Sequence, residues 1–247
     1  MDAGAAVADG PAAELTARLA AQGTAERAAG ERRYLKSPLT HLGVGMPALR
    51  RTTRAFLREQ RPDLAERLAL AAGLWARPEY EARRAAVEVL ARSARELDAT
   101  HLVTVGDMLR AATTWALVDP LAIDVAGVVA QHDPRAGATI DRWIGADTFW
   151  LRRAALLAHL PALRADPATA FDGFAARADR VLDEREFFVR KAIGWALREV
   201  ARRAPDLVVA WLEPRTARAS GVTMREAVRY LPEADAARLM AAYRARR

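Results

Sequence analysis

The chain has 247 residues, no cysteine and a formal net charge of +7, with 52% hydrophobic and 28% charged residues. That length suits one large domain or two small ones, and the lack of cysteine excludes disulfides, thiolate metal sites and cysteine nucleophiles. The opening MDAGAAVADGPAAEL has no basic segment and no long apolar core, and no apolar run reaches the roughly 18 residues of a membrane span, so a soluble cytoplasmic protein is expected.

Residues 1–10, rich in Ala and Gly, are expected to be a disordered tail, and residues 11–247 a single domain. Apolar periodicity, broken by Pro, Gly or Asp, predicts helices over 11–30, 46–60, 62–76, 78–97, 101–118, 120–131, 135–145, 148–163, 167–182, 185–204, 205–213, 222–230 and 232–246. No strand-like alternation persists. Neighbouring helices pair into units of about forty residues, which predicts an all-α fold of degenerate antiparallel helix pairs stacked into a curved solenoid rather than a closed bundle.

Most of the positive charge falls in residues 141–247, and it is carried almost entirely by arginine, since Lys36 and Lys191 are the only lysines. Such asymmetry suits an anionic partner such as nucleic acid, and equally an Ala- and Arg-rich compositional bias. His41, His101, His132 and His159 are too far apart in sequence for a local metal motif, so no metal or cofactor is expected.

Some positions stand out from the helical background. In TTWALVD, Trp115 and Asp119 are four residues apart and share a helix face, where an aromatic ring and a carboxylate can hold a cation. Alternatively Trp115 is core and Asp119 caps a helix that Pro120 begins. In TFWLRRAALLAHL, Arg153 falls inside the apolar stripe of Phe149, Leu156, Leu157 and Leu160, so it needs a partner, either an internal carboxylate or a phosphate. In EFFVRKAIGWALRE, Val189, Ala192, Ile193, Ala196, Leu197 and Val200 form one apolar face, whereas Trp195 projects from the other side between Lys191 and Arg198. Gly194 is read as keeping the backbone beside it uncrowded. Trp195 either looks out at something flat or anionic, or is covered by a second helix layer.

The segments YLKSPLTHLGV (34–44), TWALVD (114–119), FWLRRAAL (149–156), EFFVRKAIGWALRE (186–199) and MREAV (224–228) occur in the order seen in the AlkD-like DNA alkylation repair proteins. From about Leu15 onward the chain resembles these HEAT-like-repeat DNA glycosylases. The resemblance implies a HEAT-like α-α superhelix with a concave basic face. It implies hydrolysis of the N-glycosidic bond of cationic alkylated purines, of the 3-methyladenine and 7-methylguanine type, in duplex DNA without base flipping. Carried over motif by motif, Trp115 and Trp195 face the damaged nucleotide, Asp119 is the carboxylate and Arg153 contacts the backbone. Lys36, Arg153, Arg190, Lys191, Arg198 and Arg225 are the expected DNA contacts. Many relatives carry a tryptophan and an acidic residue where Thr114 and Ala116 stand here.

These residue types suit that chemistry. A cationic purine is a good leaving group, so the demand falls on the positive charge that develops on the deoxyribose. Asp119 would stabilise it and could orient or deprotonate water, with the indole faces adding cation-π attraction. No lysine is indicated as a Schiff-base nucleophile, so a monofunctional, monomeric, nucleoid-associated glycosylase without lyase activity is expected. A noncatalytic solenoid for branched or distorted DNA, and a protein-binding helical scaffold, are the alternatives.

Overall fold

Side-chain caps from Thr24, Asp63, Thr114, Asp166 and Ser220 decide where some of the helices begin. The computed structural model describes residues 10–245, so all but the last residue of the expected tail lies outside the described residues. The α-helices in chain order are α1 Pro11–Ala20, α2 Ala25–Leu35, α3 Met46–Gln60, α4 Leu64–Trp75, α5 Tyr80–Ser93, α6 Leu102–Ala111, α7 Trp115–Pro120, α8 Gly127–His132, α9 Ala136–Ile144, α10 Phe149–Leu157, α11 Leu160–Ala165, α12 Pro167–Arg180, α13 Phe187–Ala201, α14 Pro205–Leu212, α15 Gly221–Ala227 and α16 Glu233–Ala245. The fold is all-α: among the described residues the extended pairing is one isolated bridge, Thr40 to Glu79.

Several expected helices are divided, each for a local reason. The span 11–30 becomes α1 and α2, because Thr24 is extended and its hydroxyl accepts the Arg27 amide to start α2. The span 101–118 ends at Ala111, and Thr114, extended and accepting from the Ala116 amide, starts α7. The span 148–163 becomes α10 and α11, with Pro161 in the first turn of α11. The span 222–230 is α15 followed by a 3-10 turn at Val228–Tyr230. Conversely, the break expected at Pro120 does not occur. The proline sits inside helical chain, and Leu121–Ala126 widens to a π-helix immediately after it. A proline lacks the amide and crowds the preceding turn, and a wider turn is one way to absorb that. Asp119 is therefore not a helix cap.

The described chain packs as two compact units, one running up to Leu97 and including Ala111–Leu121, the other comprising Asp98–Arg110 and the chain from Ala122 onward. In the first, α1, α3, α4 and α5 pack on one another and α7 lies on α5. Leu15, Leu19, Leu49, Phe56, Leu74 and Val89 have no exposure there, each stabilising by about 1.5–3 kcal/mol before the entropy cost of ordering. The loop from Lys36 to Gly45 is tied down by the buried Glu81 of α5, which accepts the amides of Leu42 (2.8 Å), Gly43 (2.6 Å) and Val44 (3.0 Å). Gly43 turns this loop at φ +80, and a Cβ there would lie 2.1 Å from the Thr24 carbonyl oxygen. In the second unit α13 is central, packed against α10, α11, α14 and α15. The face of Val189, Ala192, Ile193, Ala196, Leu197 and Val200 is fully buried.

Candidate active site

In the first unit a cavity of about 300 Å³ is lined by Glu31, Tyr34 and Leu35 of α2, Met46 of α3, Tyr80 and Arg84 of α5, and Trp115, Ala116, Asp119 and Pro120 of α7. Thr114 caps α7 so that Trp115 opens the helix and Asp119 follows one turn later on the same face. Asp119 is 8% exposed and Trp115 half-buried. Tyr34, 73% exposed, meets Trp115 edge to face with ring centroids 6.1 Å apart. Two aromatic rings and a carboxylate sharing a cavity make a receptor for a cationic or electron-poor group.

Glu31, Tyr34, Tyr80 and Arg84 were not singled out from the sequence. Tyr34 offered a signal, standing at the head of YLKSPLTHLGV as a large aromatic in a polar helix turn. Glu31 offered none, since its partner His41 lies beyond the end of α2. His41 Nδ1 is 3.3 Å from Glu31 Oε2, and Glu81 completes the group. Glu31 and His41 are hydrogen-bonded to each other, while both Glu81 oxygens accept backbone amides of the loop.

The second unit carries the remaining candidates apart from Lys36, which lies in the first. Trp195 of α13 is half-buried and its Nε1–H donates to Glu199 (3.3 Å), so a carboxylate stands beside it as well as the cations read from the sequence. Gly194 is not a spacer for Trp195. It is the point where α15 closes on α13: a Cβ there would lie 2.7 Å from Glu226 Cβ and 3.0 Å from the Thr223 carbonyl oxygen. Arg198 forms an ion pair with Glu226. Lys191 and Arg225 are exposed and line a cavity of about 230 Å³ together with Phe187, Val222, Glu226 and Arg229.

Arg153 is 3% exposed. Its Nη1 donates to the Phe188 carbonyl at 2.7 Å, and its guanidinium carbon lies 5.7 Å from the Phe188 ring centre. It thus ties α10 to the first turn of α13 from within the unit. Arg190 is half-buried and donates from Nε to the Glu184 carbonyl (2.5 Å). Lys36 is exposed at the left-handed C-cap of α2, φ 49. No helix among the described residues is long and apolar enough to cross a membrane.

A family model described as "DNA alkylation repair enzyme" matches residues 15–231. No curated protein matches. Among solved structures, a predicted DNA alkylation repair enzyme from Enterococcus faecalis has a similar fold, with a TM-score of 0.76 and 23% identity over 86% of this chain and 98% of that one. AlkD2 from Streptococcus mutans is similar at a TM-score of 0.59 and 20% identity, over 76% of this chain and 90% of that one. The smu.31 protein from Streptococcus mutans UA159 is similar to the same degree, TM-score 0.59 and 20% identity, over 76% and 93% of the respective chains.

Proposed function

The chain belongs to the DNA alkylation repair enzyme family, and from that premise we propose that it is a monofunctional DNA glycosylase releasing cationic alkylated purines from duplex DNA. One observation supports the chemistry above others: Asp119 and the rings of Trp115 and Tyr34 line a single cavity. An alkylated purine carries its own positive charge and departs without protonation. The electron deficit then appears on the deoxyribose as an oxocarbenium-like centre. A low-exposure carboxylate beside aromatic faces stabilises that centre more than it stabilises the neutral sugar, which is the condition for catalysis.

Duplex binding is assigned to exposed cations: Lys36 in the first unit, Lys191 and Arg225 in the second. These neutralise phosphates and set register rather than read bases. Arg153 contributes from behind, holding the start of the helix that bears Lys191 and Trp195. Arg198 and Arg190, each engaged within the protein, are weaker candidates for phosphate contact.

The test is chromatographic detection of 3-methyladenine and 7-methylguanine freed from methylated duplex DNA. Release with strands left intact until alkali treatment supports a monofunctional glycosylase. Duplex binding without release from folded protein makes it a noncatalytic DNA binder instead.

A further inference from the structure

Glu31 shares the cavity with Trp115 and Asp119, and it is held from behind by a side chain that cannot swing away. The His41 side chain is 1% exposed and its ring is stacked on Tyr80, with centroids 4.7 Å apart and planes inclined by 18°. Its Nδ1 lies 3.3 Å from Glu31 Oε2. The loop carrying His41 is in turn fixed by the three amide hydrogen bonds to Glu81. A carboxylate oriented by an immobilised imidazole, itself set by a further group, is the arrangement in which a base is aimed at a proton. The charged and titratable groups around Glu31 are His41 from the loop, Tyr80, Glu81 and Arg84 from α5, Arg27 from α2 itself, and Asp119 from α7.

We propose that Glu31 is a second catalytic carboxylate of this cavity, accepting the proton of the attacking water while Asp119 stabilises the cationic sugar. This rests on the glycosylase reading above and divides its labour between two acids. The C1′–N bond breaks with its electron pair passing to the base nitrogen, which neutralises the alkylated purine. A water oxygen bonds to C1′, its proton goes to the Glu31 carboxylate, and Glu31 later yields that proton to solvent. Burial pushes Glu31 above the ordinary glutamate value and the neighbouring Glu81 charge adds to this, while the His41 hydrogen bond opposes it. A carboxylate raised in this way is a stronger base than an ordinary glutamate.

Single-turnover release of 7-methylguanine from methylated duplex DNA, followed from about pH 5 to 9, tests the assignment through Glu31→Gln and His41→Phe. A base must be ionised, so wild-type release falls as pH drops through the Glu31 value. Glu31→Gln is expected to slow release about 100-fold, to keep wild-type duplex affinity and to lose that acid limb. His41→Phe removes the hydrogen bond that lowers Glu31, so the limb moves to higher pH. Wild-type release by Glu31→Gln overturns the proposal, and so does slowed release with an unmoved limb, which marks a structural role. If wild type frees no base at any pH, the glycosylase reading itself fails and the proposal falls with it; release by wild type with Glu31→Gln indistinguishable sinks the Glu31 assignment alone.

Discussion

Tyr34 and Trp115, from helices far apart in the chain, meet edge to face at 6.1 Å and form an aromatic wall of the cavity that contains Asp119. The wall belongs to two helices and the charge to one of them. Removing the charge should therefore leave the wall standing. Asp119→Asn is expected to lower base release by at least about 100-fold while duplex affinity stays near wild type. Comparison of single-turnover rates with a fluorescence binding curve checks this, and an active Asp119→Asn protein would remove Asp119 from the chemistry.

Phosphate contacts have a separate signature. Lys191 and Arg225 are exposed, and each phosphate neutralised should contribute about 0.9 to the slope of log affinity against log salt. Lys191→Ala and Arg225→Ala should each weaken binding to any duplex sequence and shallow that slope by about this amount. Titrations at several salt concentrations decide it; an unchanged slope means the side chain touches no phosphate.

Arg153 should behave differently from those exposed cations. Truncation to Ala leaves the half-buried Phe188 carbonyl without its 2.7 Å donor, at a cost of about 1–3 kcal/mol. Chemical denaturation of Arg153→Ala should show that loss, whereas Lys191→Ala should melt as wild type does. Equal stability of the two variants would show that Arg153 is not a structural tie.

Gly194 is a packing position. Alanine there would bring its Cβ within 2.7 Å of Glu226 Cβ and 3.0 Å of the Thr223 backbone oxygen. Overpacking costs about 1–3 kcal/mol, only partly offset by the roughly 1 kcal/mol that alanine gains over glycine in a helix. A lower urea midpoint for Gly194→Ala is expected, and a higher one would mean that α15 can retreat.

His159 makes stability depend on acid. Burial, helped by the nearby Arg177 charge, pushes it down to about 4, and its Nε2 is buried without a hydrogen-bond partner. The folded state thus holds His159 neutral while the unfolded chain takes up a proton below about 6.5. Stability is full above that value and declines as pH falls from about 6.5 to 4, by about 1–2 kcal/mol at pH 5. Denaturant melts at pH 7 and 5 measure the decline, and His159→Leu should flatten it.

Much of the helical content was legible in the chain because a helix is a local object. The apolar face of α13 repeats every three to four residues and is buried in the structure as that period requires. Capping was less legible. Thr24 and Thr114 each break a span whose apolar period alone reads as continuous, because one hydroxyl bonding an amide outweighs a weak pattern. Pro120 misled in the opposite direction, since the π-helical widening beside it absorbs a residue that normally ends a helix.

The sequence by itself determined that the protein is helical, that Trp115 and Asp119 share a face, and that α13 has a buried side and a cationic one, all of which follow from spacings within a few residues. Tertiary structure decided that Arg153 donates to the Phe188 carbonyl, that Arg198 is held by Glu226, that Gly194 is a helix contact, and that Glu31, braced by His41, joins Asp119 in one cavity. Those relationships connect residues on different elements. A side chain's partner across such a distance is set by how the helices pack, and no local period or cap records it.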